Sequence, residues 1–342
     1  MKTSLLLFIT IILGVFSISC SEDSSGWQQI SASNSPSSRY DSCSFYQNDI
    51  KSLYIIGGLT ENQKYDDIWK LDTKTDKWKK LSAPSGGLNL EAGGRINSCA
   101  FDQDTDSLYL YGINQGGNAS PSRILKWYVN DNRLEEIAAS NLLGTSRGHS
   151  LLLLKKGLSE PSLVVFGGED AGYNKNNEIR IFGLNSKKFE TLVITGLKPE
   201  ARILHAAAIS KNNEMIIIGG KSTSPLNDIW SFNFSTKKWT LLSDDNKNIK
   251  AYSTSNTYSQ EDSSILLYGG KSISSSKFSS TLVKYNMNKK SWSEIDSNSE
   301  PGALSGASEI LTPSNDLYIF GGNSINSKNE TVPTNALWKY TF

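Results

Sequence analysis

A di-glycine preceded by aliphatic and aromatic residues returns along the chain: SLYIIGG to Gly58, SLVVFGG to Gly168, EMIIIGG to Gly220, SILLYGG to Gly270 and DLYIFGG to Gly322. A degenerate copy, SLYLYGI, ends at Gly112 and Ile113. The second position of the pair falls at 58, 113, 168, 220, 270 and 322, a period of 50–55 residues. A fixed period of this size marks a repeat architecture, in which one supersecondary unit is copied and stacked.

Each unit reads as four short strands. After the glycines, an aliphatic residue precedes an anchor in the next strand by ten residues: Ile68/Trp78, Ile124/Leu134, Ile179/Phe189, Ile229/Trp239 and Leu282/Trp292. That spacing fits a strand, a tight turn and entry into the following strand, and the turns carry suitable residues, such as DTKTDK and FSTKK. Another strand lies before each Gly-Gly strand, opened by arginine in RYDSCSF, RINSCAF, RGHSLLLL and RILHAAAI. No segment has the period of an amphipathic helix. A four-stranded unit of about 50 residues cannot bury both of its faces alone, but radial stacking on its neighbours allows it, as in a propeller blade.

The Gly-Gly closing the second strand, Asp67-Ile68-Trp69 and Asp228-Ile229-Trp230 opening the third, and a Trp about 20 residues after the glycines together resemble kelch repeats. The resemblance runs over residues 26–342 and implies an all-β, six-bladed β-propeller. The blades are expected at 39–81, 95–137, 147–192, 202–242, 251–295 and 304–342. In the last unit Leu337 is the aliphatic position, and the anchor ten residues on would fall past Phe342. An unclosed ring leaves exposed sheet edges. GWQQI, at 26–30, matches KWKKL and KWTLL, so residues 26–31 are expected to complete blade 6 as its outer strand, with Trp27 as the anchor.

Residues 1–20 carry one lysine and then an apolar run from Leu5 to Phe16, too short to span a bilayer and suited to a signal peptide cleaved before Cys20. The expectation is a single propeller over residues 21–342, secreted or periplasmic, without a transmembrane segment and monomeric. SISC at 17–20 loosely resembles a lipobox, which makes Cys20 an alternative lipid anchor. Cys43 and Cys99 occupy matching places in RYDSC and RINSC and are expected as two buried, unpaired thiols. Sequons at Asn118, Asn233 and Asn329 are glycosylation candidates, although no more frequent than chance allows. Lys+Arg 35 against Asp+Glu 34 gives no electrostatic basis for binding nucleic acid or an anionic membrane.

In such a ring, the loops from strand two to three and from blade to blade share one face, here called the top. Kelch-like propellers generally bind through it, which implies a protein or glycan ligand. Arg39, Arg95, Arg147 and Arg202 open strand one near the channel mouth. By resemblance to kelch adaptors they would either grip carboxylates of a ligand through their planar forks or hold neighbouring loop carbonyls. Arg147 stands one residue closer to His149 than Arg202 does to His205, which argues against a uniform ring. Tyr173, in EDAGYNKNN, adds an aromatic contact. The bottom turns carry lysines offset by acidic residues, a mixed solvated surface. His149 and His205 are the only histidines and make no zinc site by themselves, so no metal, cofactor or catalytic residue is expected. The alternative is a small-molecule enzyme resembling the sialic acid mutarotases, with Glu91, Glu169 and Asp170 near the mouth.

Overall fold

The computed structural model describes residues 25–85, 98–113, 123–137, 147–170, 172–244, 251–252, 255–259, 262–272, 277–295 and 301–342. These residues form six four-stranded antiparallel sheets and no helix. Blade 1 is built of Cys43–Gln47, Ser52–Ile56, Ile68–Asp72 and Lys77–Leu81. Blade 2 is Cys99–Asp102, Ser107–Ile113, Arg123–Tyr128 and Arg133–Ile137. Blade 3 is Ser150–Leu154, Ser162–Phe166, Ile179–Gly183 and Phe189–Thr191. Blade 4 is Ala206–Ile209, Glu214–Lys221, Pro225–Asn233 and Lys238–Ser243. Blade 5 is Ser255–Ser259, Ser264–Tyr268, Leu282–Asn286 and Ser291–Glu294. Blade 6 is Ser308–Leu311, Asp316–Phe320 and Leu337–Thr341, completed by Gly26–Ile30 from the other end of the sequence. A small hairpin, Asn323–Ile325 with Thr331–Pro333, rises from the top of blade 6.

The ring is closed as the repeat count requires. Gly26–Ile30 runs antiparallel to Leu337–Thr341 over five pairs, Gly26↔Thr341 to Ile30↔Leu337. Trp27 packs edge-on against Tyr340 and against Tyr268 of blade 5. The core is divided among the six blade interfaces, because each sheet is apolar on both faces. Between blades 3 and 4, for example, Val164, Phe166 and Ile181 meet Met215, Ile217 and Trp239. The anchor of each fourth strand faces the preceding blade: Trp78 toward Phe320, Trp239 toward Phe166, and Trp27 toward Tyr268. The Gly-Gly pair has a steric reason. Gly220 has φ +97°, and a Cβ there would lie 2.8 Å from the Ile203 carbonyl oxygen, where the first strand of the blade begins.

Cys43 and Cys99 are not free thiols. They form a disulfide between the inner strands of blades 1 and 2, with a Cα–Cα distance of 5.9 Å. The expectation of unpaired thiols failed on register. Cys43 pairs with Ile56 across its hairpin, whereas Cys99 pairs with Leu110. In the second strands Leu110 matches Ile55, not Ile56, so Cys99 holds the place of Ser44. A one-residue offset turns a strand residue to the opposite face of its sheet. Cys43 therefore faces blade 2 while Cys99 faces back to blade 1. The offset is visible in the sequence: the two cysteines are 56 residues apart, while the second Gly-Gly positions, 58 and 113, are 55 apart.

Candidate functional site

Arg39 and Arg202 occupy equivalent places and do the same work. Each is fully buried. Arg39 donates from Nη1 to the Gly57 carbonyl at 2.8 Å and grips Asp67 with both Nη atoms, while Trp69 Nε1 donates to the same carboxylate at 2.7 Å. Arg202 repeats the pattern on the Gly219 carbonyl and on Asp228, at 2.6 and 2.7 Å, with Trp230 as the further donor. The Asp-Ile-Trp signature is thus the receptor for the arginine of its own blade. Burial alone would raise the Asp67 pKa, but hydrogen bonds and charge from Arg39, with help from Trp69, hold it below the ordinary carboxylate value. The forks of both arginines are filled from within their blades.

Blade 3 departs from this arrangement. Its third strand opens Glu178-Ile179-Arg180, with Arg180 where blades 1 and 4 have Trp69 and Trp230. The buried Arg180 reaches back and donates from Nη2 to the Gly167 carbonyl at 3.0 Å, the task performed elsewhere by the first-strand arginine. Arg147 lies at the surface, because it pairs with Glu169 as Tyr40 does with Leu59 and Ile203 with Lys221, one residue past the place of Arg39 and Arg202. Its Nε donates to Glu169 at 2.7 Å, and its guanidinium lies 4.3 Å from the centroid of the Tyr173 ring. The loop that presents Tyr173 is tied by Asp170, whose Oδ1 accepts the Gly172 and Asn174 amides at 2.8 and 2.9 Å. The Asn174 side chain and these amides hold the Asp170 pKa below its usual value.

Tyr173 is 65% exposed, and the loop from blade 3 to blade 4 exposes Val193 (83%) and Leu197 (64%) on the same top face. Ile325, on the blade 6 hairpin, is also exposed there. Of the sequence-derived candidates, then, Arg147 and Tyr173 come together at the surface, and Glu169 and Asp170 are their supports. Arg95, Glu91, Asn118 and Cys20 lie outside the described residues. Asn233 uses its side-chain amide on Glu214 and Thr236, whereas Asn329 is exposed at the tip of the blade 6 hairpin. Val193 and Leu197 were not among the sequence candidates, because an exposed aliphatic in a loop has no motif.

The top of the channel holds a cavity of about 300 Å³ whose wall includes Ser42, Ser44, the Cys43–Cys99 bridge, His149, Ser150 and His205. His149 packs edge-on to Tyr111, and His205 to Phe166 with Nε2 3.0 Å from Ser150 Oγ. Burial, then the nearby Arg202 and His149, lower the His205 pKa to about 3, so the His205 ring is neutral at physiological pH. No group of acids, histidines and cysteines that would hold a metal ion occurs among the described residues.

Comparison with known proteins agrees with this geometry. The family model described as the KLHDC2/KLHL20/DRC7 Kelch-repeats domain matches residues 90–259 and 148–342, and the Kelch motif matches 51–85. The chain belongs to the kelch-repeat family. This kelch propeller is 25% identical over 198 residues to acyl-CoA-binding domain-containing protein 5 of Arabidopsis thaliana, covering 55% of the chain and 29% of that protein. It is 22% identical over 167 residues to the N-(sulfonatooxy)prop-2-enimidothioate sulfolyase of Thlaspi arvense, covering 47% and 48%. It is 27% identical over 195 residues to human Kelch domain-containing protein 10, covering 52% and 41%. The aligned part thus spans less than half the length of each of these relatives. No helix among the described residues is long and apolar enough to cross a membrane.

Proposed function

We propose that this kelch propeller is an exported protein-interaction module that engages its partner through the top face of blade 3. The observation that carries the reading is the exposure of Arg147, which stacks on an exposed tyrosine beside Glu169. Arginine and tyrosine are the residue types that dominate interface energetics when a partner covers them. Val193 and Leu197 give the same face an apolar component. Export is supported by the apolar leader and by the Cys43–Cys99 bridge, since disulfides persist in oxidising compartments.

The test is affinity capture from the medium of the producing cells, with the wild-type propeller beside an Arg147→Ala/Tyr173→Ala/Leu197→Ser variant and a control, Lys74→Ala, in an exposed bottom turn. A partner retained by wild type and control but lost by the triple variant supports the assignment. Equal capture by all three sinks it, provided that thermal melts show the triple variant folded.

A further inference from the structure

The opposite end of the channel carries a second cavity, of about 620 Å³, formed where the inner strands of blades 5, 6, 1 and 2 run out into their turns. We propose that this bottom mouth binds the uncharged end of a saccharide. Its size lies within the range of pockets that enclose small ligands.

The wall chemistry selects the ligand. None of the described residues lining the cavity carries a charge. Rings reach it from three blades: Tyr46 from blade 1, Phe101 from blade 2 and Tyr258 from blade 5. Phe101 is held in place by stacking on Phe45 at 4.1 Å, and Phe45 in turn stacks on Tyr54 at 4.5 Å. Tyr258 is fixed through its hydroxyl, which accepts the Lys211 amide at 3.1 Å. Phe101 and Tyr258 are partly exposed and offer apolar ring surface to the C–H face of a pyranose, while Tyr46 is buried against blade 6.

Around the rings stand side-chain amides. Gln103 is anchored, donating to the Tyr46 carbonyl and accepting the Asn48 amide hydrogen. Asn48 and Asn315 also line the mouth, and no described residue engages their side-chain amides. A primary amide both donates and accepts, as a sugar hydroxyl does, so the two are matched without a charge. A sulfated or carboxylated sugar would find no cation among the described residues of this wall. The site lies on the face opposite Arg147 and does not depend on the reading of the top face.

The experiment is isothermal titration calorimetry of the intact propeller with maltotriose and cellotriose, and with trigalacturonate as the charged counterpart. The variants are Asn48→Ala, Tyr258→Ala and Asn315→Gly, the last chosen because Asn315 has φ 63° and glycine removes the amide without backbone strain. Saturable binding of a neutral trisaccharide is expected, weakened at least about tenfold in the Asn48→Ala/Asn315→Gly double variant and unchanged in Arg147→Ala. Three outcomes overturn the proposal: neither neutral trisaccharide binds, trigalacturonate binds as tightly, or variants with wild-type melting curves bind as well as the parent. The exposed Asn48→Ala keeps the test valid if Tyr258→Ala disturbs the fold.

Discussion

Trp27 lies directly across from Tyr340 in the sheet of blade 6, and their ring centroids are 5.1 Å apart. Residues from near the two ends of the sequence are thereby packed into one blade, and the interface between blades 5 and 6 is completed by a side chain that precedes every repeat. Trp27→Ala is expected to lower the unfolding free energy by about 3–5 kcal/mol, the range for deleting a large buried aromatic. Removing residues 26–30 does more, since it exposes the edge of Leu337–Thr341. Urea unfolding followed by tryptophan fluorescence reads both effects. A deletion variant that melts like the parent would contradict ring closure by this strand.

Arg39 is expected to behave as a structural residue whose loss strands a carboxylate. In Arg39→Ala, Asp67 keeps its half-buried site, the Trp69 hydrogen bond and the exposed Lys80 at 4.0 Å but loses its buried cation, which costs about 3–5 kcal/mol for a buried pair broken from one side. The double variant Arg39→Met/Asp67→Leu should recover part of this loss, because both charges go together. The native Asp67 pKa is depressed, so the pair's contribution is present above the unfolded carboxylate value, near 3.8, and is lost as pH falls through the native value. Thermal melts between neutral pH and pH 3 should therefore show a shallower acid decline in Arg39→Ala than in the parent.

The ring and its closure are legible in the sequence because both depend on spacing. Gly-Gly pairs 50–55 residues apart, and one leftover Trp strand, leave little freedom in how the blades are counted. The facing of the two cysteines was not legible from the motif, since RYDSC and RINSC align by arginine while the strands align by their hairpin partners, one residue apart. The surface place of Arg147 was legible in its shortened spacing to His149, because that one-residue offset sets it in the register of Tyr40 and Ile203 rather than of Arg39 and Arg202. The bottom cavity had no local trace, because Tyr46, Phe101 and Tyr258 become neighbours only once the ring is assembled.

His205 should make the propeller acid-sensitive in a window of its own. Its native pKa is lowered to about 3, against an ordinary value of 6.5, by burial first and then by the neighbouring Arg202 and His149. Below pH 6.5 the unfolded chain takes up a proton that the folded ring refuses, so stability falls as pH drops toward 3. The slope contributed by one such group approaches about 1.4 kcal/mol per pH unit. His205→Gln, which keeps a polar group near Ser150, should flatten the stability profile between pH 6 and pH 4 by roughly that slope. An unchanged slope would show that His205 takes up its proton in the folded state as readily as in the unfolded one.

The Cys43–Cys99 bridge joins the blades that follow the closing blade in the sequence, and it spans 56 residues. A cross-link over a loop of that length restricts the unfolded chain enough to stabilise the fold by about 4 kcal/mol on the chain-entropy estimate. Reduction, or the Cys43→Ser/Cys99→Ser variant, should lower the melting temperature without dispersing the sheet signal in circular dichroism, since the blade 1–2 interface keeps Phe45, Tyr54, Leu108 and Trp127. Single Cys→Ser variants should melt with the double variant, because either one breaks the same bond. Intact-mass measurement after alkylation with and without reductant decides whether the bond is present. Uptake of two alkyl groups at positions 43 and 99 only after reduction is the expected result, and labelling of both without reductant would show the thiols free.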